Sequence, residues 1–296
     1  MQAYQPERSP RVDIERVGSV DISVRVWAGS GKHSLFALHG WGDVGASFQF
    51  FADVIGEDFT VIAPDWRGFG DSVSRESSYY FPNYFVDLEA LLTRYCGDAP
   101  VNLLGHSMGG NIASLYAGMR PARVARVFNV EGFGLPDSDP NDAPQRYAAW
   151  LDSLLSTPGD PDYPDAAALA ARVQRRSPTL AADRALYIAE QWGKRDPDTG
   201  RWRLRQSPAH RRPNPVLYRR AEARACWQAT RAPTVVIRAE PEAMPGLDAG
   251  CRDFAAALGE RCVAVESMVD TGHNLHMERP AELARLVRHY WDAAPD

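Results

Sequence analysis

Two hydrophobic periodicities take turns along the first third of the chain, and that alternation restricts it to few architectures. Leu35-Phe-Ala-Leu38 and Thr60-Val-Ile-Ala63 are short continuous apolar runs ended by turn signals. Such runs suit strands covered on both faces. Val20-Asp-Ile-Ser-Val-Arg-Val-Trp27 alternates apolar and polar residues, as a half-buried strand should. Between later strands the spacing changes: Tyr84, Phe85, Leu88, Leu91, Leu92 and Tyr95 share one helical face, which predicts a helix from about Pro82 to Cys96 packed against a sheet. Val101-Asn-Leu-Leu104 reads as a strand, Asn111–Met119 as a helix ended by Pro121, and Arg123–Val130 as a further strand. The expected fold class is α/β, built on a mostly parallel, doubly covered sheet.

The alternation stops at Gly134. To about Arg231 there is no convincing strand, only Pro- and Asp-rich turns around helical stretches such as Gln145–Leu155, Ala166–Arg176 and Ala181–Trp192. It resumes with Thr234-Val-Val-Ile237, a helix near Cys251–Leu258, a last strand at Cys262–Val265 and a terminal helix with Leu283, Leu286, Val287 and Tyr290 on one face. The expected organisation is a discontinuous core, residues 1–133 and 232–296, with a helical cap at 134–231. Insertions of this kind usually sit over the carboxyl ends of the strands, where ligands bind in open α/β sheets.

Composition excludes several other classes. The 296 residues are 45% hydrophobic and 24% charged, an ordinary globular balance. Thirty-three Lys and Arg against 38 Asp and Glu give a net charge of −5, which argues against nucleic-acid binding by phosphate neutralisation. No apolar run approaches the ~20 residues of a membrane helix, and the opening residues lack the apolar core of a signal peptide. Cys96, Cys226, Cys251 and Cys262 are scattered, without metal-ligand or disulfide spacing. A reduced, cytoplasmic location is the expectation, with neither nucleic acid nor membrane as partner.

Gly105-His106-Ser107-Met108-Gly109 fits G-x-S-x-G and lies after an apolar strand and before a helix. A nucleophile on so tight a turn needs small neighbours, because larger side chains would collide in the turn. The following helix points its first N–H groups at the site and favours negative charge there. His39-Gly40-Trp41-Gly42 follows the strand Leu35–Leu38. The expected oxyanion hole is the backbone N–H of Trp41 with that of Met108. Trp41 and His106 are expected to line the substrate pocket.

A serine hydroxyl needs a base to become nucleophilic. The order serine, acid, histidine leaves aside His33, His39 and His106, which precede Ser107. His210 lies in an arginine-rich stretch of the insertion and His289 in the terminal helix. Of the remaining pair, His273 follows Gly272 in the loop after the last strand and presents its imidazole better; His276 reads as a supporting or core histidine. The acid that fixes the histidine tautomer has two candidates. Glu131 ends a buried strand and precedes glycine, while Glu242 follows the strand Thr234–Ile237. Both stay open.

Four segments in this order resemble the α/β-hydrolase fold serine hydrolases with a helical cap: His39-Gly-Trp-Gly-Asp43, Asp65-Trp-Arg-Gly-Phe-Gly-Asp-Ser72, Gly105-His-Ser-Met-Gly-Gly110, and Gly272-His273 followed by Glu278-Arg-Pro280. The resemblance implies Ser107 as nucleophile, His273 as base, Trp41 and Met108 as oxyanion donors, and Asp65–Ser72 as a bracing turn. At the acid the chain departs from the pattern: many members carry aspartate where Glu242 aligns, and some carry the acid after the strand that ends here in Glu131. Dehalogenase and epoxide hydrolase relatives use an aspartate in the elbow, so a serine there disfavours their chemistry.

The expected activity is cofactor-independent hydrolysis of a carboxylic ester of small or medium acyl group, with no metal. A thioester, a lactone or a carbon–carbon bond beside a ketone is open to the same machinery. A small-molecule receptor with a hydrolase-like shell is the competing class, and a haloperoxidase or perhydrolase side activity a weaker one. Most of the cap aromatics Tyr147, Trp150, Tyr163, Tyr187, Trp192, Trp202, Tyr218 and Trp227 are expected in the cap's own core. Arginines crowd Arg201–Arg231, where Glu222 is the only acid. A solvated basic face explains them, with attraction of an anionic acyl carrier as the sharper alternative.

Overall fold

The computed structural model describes residues 2–31, 33–156, 159 and 161–292. Its sheet begins with β1 (Arg11–Val17), β2 (Val20–Trp27), β3 (His33–Leu38), β4 (Phe59–Pro64), β5 (Val101–His106) and β6 (Val124–Val130). Helices α1 (Gln49–Val54), α2 (Phe81–Cys96) and α3 (Met108–Met119) fill the crossovers. The chain then leaves the sheet through α4 (Ala143–Leu154), β7 (Asp162–Tyr163), α5 (Ala166–Arg176), α6 (Ala182–Trp192), β8 (Gly193–Arg195), β9 (Trp202–Leu204) and α7 (Arg220–Ala229). It returns with β10 (Thr234–Glu240), α8 (Leu247–Leu258), β11 (Cys262–Val269), α9 (Leu275–Glu278) and α10 (Pro280–Asp292).

The main sheet runs β1-β2-β4-β3-β5-β6-β10-β11, antiparallel at β1–β2 and β2–β4 and parallel from β4 onward. The period of two decides which face each residue covers. Phe36 and Leu38 pack with Leu88, Leu92, Ile112 and Tyr116 from α2 and α3. Leu35 and Ala37 pack with Phe51, Ala52, Leu283 and Val287 from α1 and α10. Burial on both faces is why these strands read as unbroken apolar runs. The order reverses at β3, whose neighbours are β4 and β5, so the loops after β3 and β5 straddle a topological switch point.

Two expectations need correction. Strand β2 is buried on both faces, not half-buried: Ser23 and Arg25 on its polar side are covered. The Asp65–Ser72 turn covers them, with the Ser23 N–H donating to Ser72 Oγ at 2.9 Å and Arg25 paired with Asp65 at 3.1 Å. The segment between β6 and β10 also holds strands, a small antiparallel sheet ordered β7-β9-β8. These strands are two or three residues long and too short to show a periodicity.

Helices α5 and α6 do not enclose a private core. Leu169, Val173, Ile188 and Trp192 share one buried cluster with Val44, Ala46, Phe50 and Met277. Helix α7 packs on the flank of the sheet, where Ala223 and Trp227 meet Val236 and Phe254. No helix among the described residues is long and apolar enough to cross a membrane.

Candidate active site

Ser107 follows β5 at once and precedes α3, with φ 52° and ψ −114°. Its N–H donates to the Val130 carbonyl at 2.8 Å, which ties the turn to the end of β6. Gly109 makes the turn possible: a Cβ there would lie 2.0 Å from the Leu38 carbonyl oxygen. Helix α3 starts at Met108, so its first N–H groups lack intrahelical acceptors and face the site.

The loop after β3 is set by a buried histidine. The Trp66 N–H donates to His39 Nε2 at 2.9 Å, so Nδ1 carries the hydrogen and donates to the Gly40 carbonyl at 2.7 Å. Burial lowers the His39 pKa and keeps the ring neutral, as this pattern requires. Trp41, next in the loop, leaves its side chain half exposed.

His273 stands on the loop after β11. The Gly272 N–H donates to Glu278 Oε2 at 3.1 Å, and His106 Nε2 donates to the His273 carbonyl at 2.7 Å. The His273 Nδ1 meets Glu131 Oε2 at 2.6 Å. Glu131 is 3% exposed, and its Oε1 accepts the Ala239 N–H at 2.8 Å. The structure therefore brings Glu131, not Glu242, to His273. Glu242 is exposed, and its Oε1 accepts the Asp248 N–H at 2.8 Å in the first turn of α8. Among the described residues, the non-glycine residues with positive φ are Ser107, Glu131 and Asp270, each the first after a strand of the site.

Behind the elbow lies a polar cluster. Asp43 accepts four hydrogen bonds: from the Val44 N–H and Trp192 Nε1, both at 2.8 Å, from Ser47 Oγ at 2.8 Å and from His276 Nε2 at 3.2 Å. Burial alone would raise the Asp43 pKa, but the His276 contact and these donors bring it below its ordinary value. His106 is held neutral: burial first, then the neighbouring His276 and His273, push its pKa well below the usual imidazole value. Ligand-type atoms of Asp43, His106 and His276 lie within 4.8 Å of one another. A cation there would compete with the donors that already occupy Asp43. His106, expected in the pocket, does line the cavity, as a buried wall that holds the His273 loop.

That cavity, of about 180 Å³, is lined by Ser107, His273, Trp41, Asp43, His106 and Arg176, among others. A second recess of about 180 Å³ adjoins it at Trp41 and is walled by Met108, Tyr79, Tyr80, Phe81 and Trp150. Of the cap aromatics, Trp150 and Trp192 reach these spaces. Tyr163, Tyr187, Trp202, Tyr218 and Trp227 pack in buried clusters, and Tyr147 is exposed. Several of the crowded arginines form ion pairs near the surface: Arg201 with Asp162, Arg205 with Asp71, and Arg220 and Arg224 with Asp253. Sequence reasoning missed Arg176, which at the end of α5 carries the signature of any surface arginine in a last helical turn.

The chain has recognisable relatives. It is 28% identical over 124 residues to a serine hydrolase-like protein of Danio rerio, covering 41% of this chain and 38% of that one. It is 30% identical over 138 residues to a soluble epoxide hydrolase of Corynebacterium sp. (strain C12), covering 47% and 48%. Each match spans less than half of the relative's length. Among solved structures, a thioesterase domain from the curacin biosynthetic pathway superposes with a TM-score of 0.82 at 24% identity, over 95% of this chain and 99% of that one. The sequence profile of the alpha/beta hydrolase fold runs from residue 34 in β3 to residue 280 at the start of α10. On that span, which takes in the ends of β3, β5, β6 and β11, the chain belongs to the alpha/beta hydrolase fold family.

Proposed function

We propose that this protein is a serine hydrolase that cleaves a carboxylic ester of a small or medium acyl group through an acyl-enzyme. The observation that carries the reading is the 2.6 Å contact of His273 Nδ1 with the buried Glu131, on the rim of the cavity that also exposes Ser107. With Nδ1–H donated to Glu131, the lone pair of His273 lies on Nε2, where a base must have it. Ser107 Oγ attacks the ester carbonyl carbon and its proton passes to His273 Nε2. The carbonyl oxygen becomes an oxyanion facing the N–H groups of Trp41 and Met108. Loss of one such donor elsewhere costs ~2.7–4 kcal/mol of transition-state stabilisation. The tetrahedral species collapses, the C–O bond breaks, and His273 returns the proton to the departing alcohol. Water, deprotonated by the same Nε2, then releases the acid and restores Ser107.

Asp65–Ser72 acts as a brace: Asp65 accepts the Gly45 N–H at 2.7 Å and the Asp71 N–H at 2.9 Å. A panel of p-nitrophenyl esters, acyl thioesters and lactones tests the reading with wild type, Ser107→Ala, Glu131→Gln and Glu242→Gln. Ser107→Ala should abolish turnover. Glu131→Gln should lower kcat by about 10⁴-fold, as for a lost tautomer-fixing carboxylate, and Glu242→Gln by less than about two-fold. Turnover that survives Ser107→Ala would remove the proposal.

A further inference from the structure

Beside the cavity that holds Ser107 and His273 lies a smaller recess of about 30 Å³, lined by Trp41, Gly42, Arg172, Arg176, Trp192 and Arg211, among others. Trp41, Arg176 and Trp192 line both spaces, so the recess borders the site at these three side chains. The buried arginines Arg25 and Arg67 are matched by carboxylates, Arg25 by Asp65 and Asp71 and Arg67 by Asp87 and Glu76.

In the recess Arg172 donates to the Tyr163 hydroxyl at 2.5 Å. Arg176 makes no hydrogen bond or ion pair among the described residues; its guanidinium stacks over Trp192, 5.5 Å from the ring centroid. Asp43 is the carboxylate whose charge it feels, but both Asp43 oxygens already accept other donors. Arg176 is itself exposed at the rim, with Asp43 as the opposite charge and Arg172 as the like charge nearest it. The position is also held firmly. Ser177, the next residue, accepts Asn274 Nδ2 at 2.7 Å, and Thr179 donates to Glu278. A guanidinium stacked on an indole keeps its N–H edge free and oriented, which suits a planar two-oxygen acceptor.

We propose that this recess receives a carboxylate of the substrate: the ester cleaved at Ser107 carries a second, ionised carboxyl group, bound by Arg176 beside Arg172. The inference rests on the ester-hydrolase reading and narrows its substrate class. The size of the recess favours a group of a few atoms over a nucleotide or another bulky carrier.

Two matched pairs test it: the p-nitrophenyl monoester of adipate against p-nitrophenyl hexanoate, and phenyl butyrate with and without a carboxymethyl group on the ring. One pair should show at least a ten-fold higher kcat/KM for the charged member, declining with added NaCl. Arg176→Gln should reduce that charged-to-neutral ratio at least ten-fold, and Arg176→Lys should keep part of it. A ratio near one in both pairs, or one that Arg176→Gln leaves unmoved, would overturn the inference. Calorimetric binding of the two charged esters to Ser107→Ala, with and without Arg176→Gln, separates the two claims. Affinity that depends on Arg176 without any turnover keeps the recess and removes the hydrolase reading. Turnover that depends on Ser107 but ignores charge, with binding indifferent to Arg176, does the reverse.

Discussion

Ser107, Glu131 and Asp270 each hold a left-handed backbone without being glycine. Such conformations cost of order 1–3 kcal/mol apiece and persist only where the surroundings over-determine them. Here parallel strands do so: the Ser107 N–H is taken by Val130, the Glu131 N–H by Ile237 and the Asp270 N–H by Glu240. The turn at Ser107 and the loop position of His273 were legible in the sequence because flanking glycines and chain order mark them. The choice between Glu131 and Glu242 was not, since it depends on how far β6 and β10 carry each carboxylate from the imidazole. His210 supplies a prediction at this scale. It lies between Phe69 and Tyr79, with ring centroids 3.8 Å away on each side, and donates Nε2–H to the Arg67 carbonyl at 3.0 Å. Burial pushes its pKa down to about 3. Above pH ~6.5 the ring is neutral folded or unfolded and contributes no pH dependence. As pH falls from there, the unfolded chain takes up a proton that the folded one refuses, so stability drops, by about 2 kcal/mol at pH 5 from this group. His210→Phe keeps the ring stack and should flatten the decline of Tm between pH 7 and pH 5. A decline as steep as in wild type would refute this.

Helix α5 spans Ala166–Arg176, as its periodicity indicated, and Asp165 caps it by accepting the Ala168 N–H at 2.8 Å. Strand β1 went unread for a physical reason. Its apolar residues Val12 and Ile14 face solvent, while Asp13 and Glu15 meet Tyr95 and Arg94, so the alternation is inverted from the usual sense. The short β7–β9 set carries Arg, Lys and Asp and takes its form from the turn at Asp196–Gly200, not from a buried face. Helix packing gives a sharper test. A Cβ on Gly118 of α3 would lie 1.9 Å from the Cys226 carbonyl oxygen in α7, a contact with backbone that cannot rotate away. Gly118→Ala should cost about 3 kcal/mol, the upper end for overpacking, and lower Tm by about 5 °C or more. At Gly159 a Cβ would meet nothing within 4 Å, so Gly159→Ala should leave Tm within a degree or so and serves as control. Equal thermal shifts in the two variants would contradict the close approach of α3 and α7.

Across the whole molecule, the inserted segment is fastened to the site at polar points: Trp192 to Asp43, Ser177 to Asn274 and Thr179 to Glu278. None of these long-range pairs follows from periodicity, because each joins a loop to a residue far away in sequence. Trp192→Phe keeps the ring volume but withdraws one donor from buried Asp43. It should destabilise the fold by about 1–3 kcal/mol in chemical denaturation and, under the proposed ester hydrolysis, reduce kcat/KM. Stability equal to wild type would show that Asp43 does not depend on that indole. The same fastening bears on how molecules come and go. A roof stitched down through buried carboxylates does not swing open as one body, since lifting it would strand each oxygen without water to replace its donor. Trp41, half exposed on the rim of the cavity, stands instead where the site itself meets solvent.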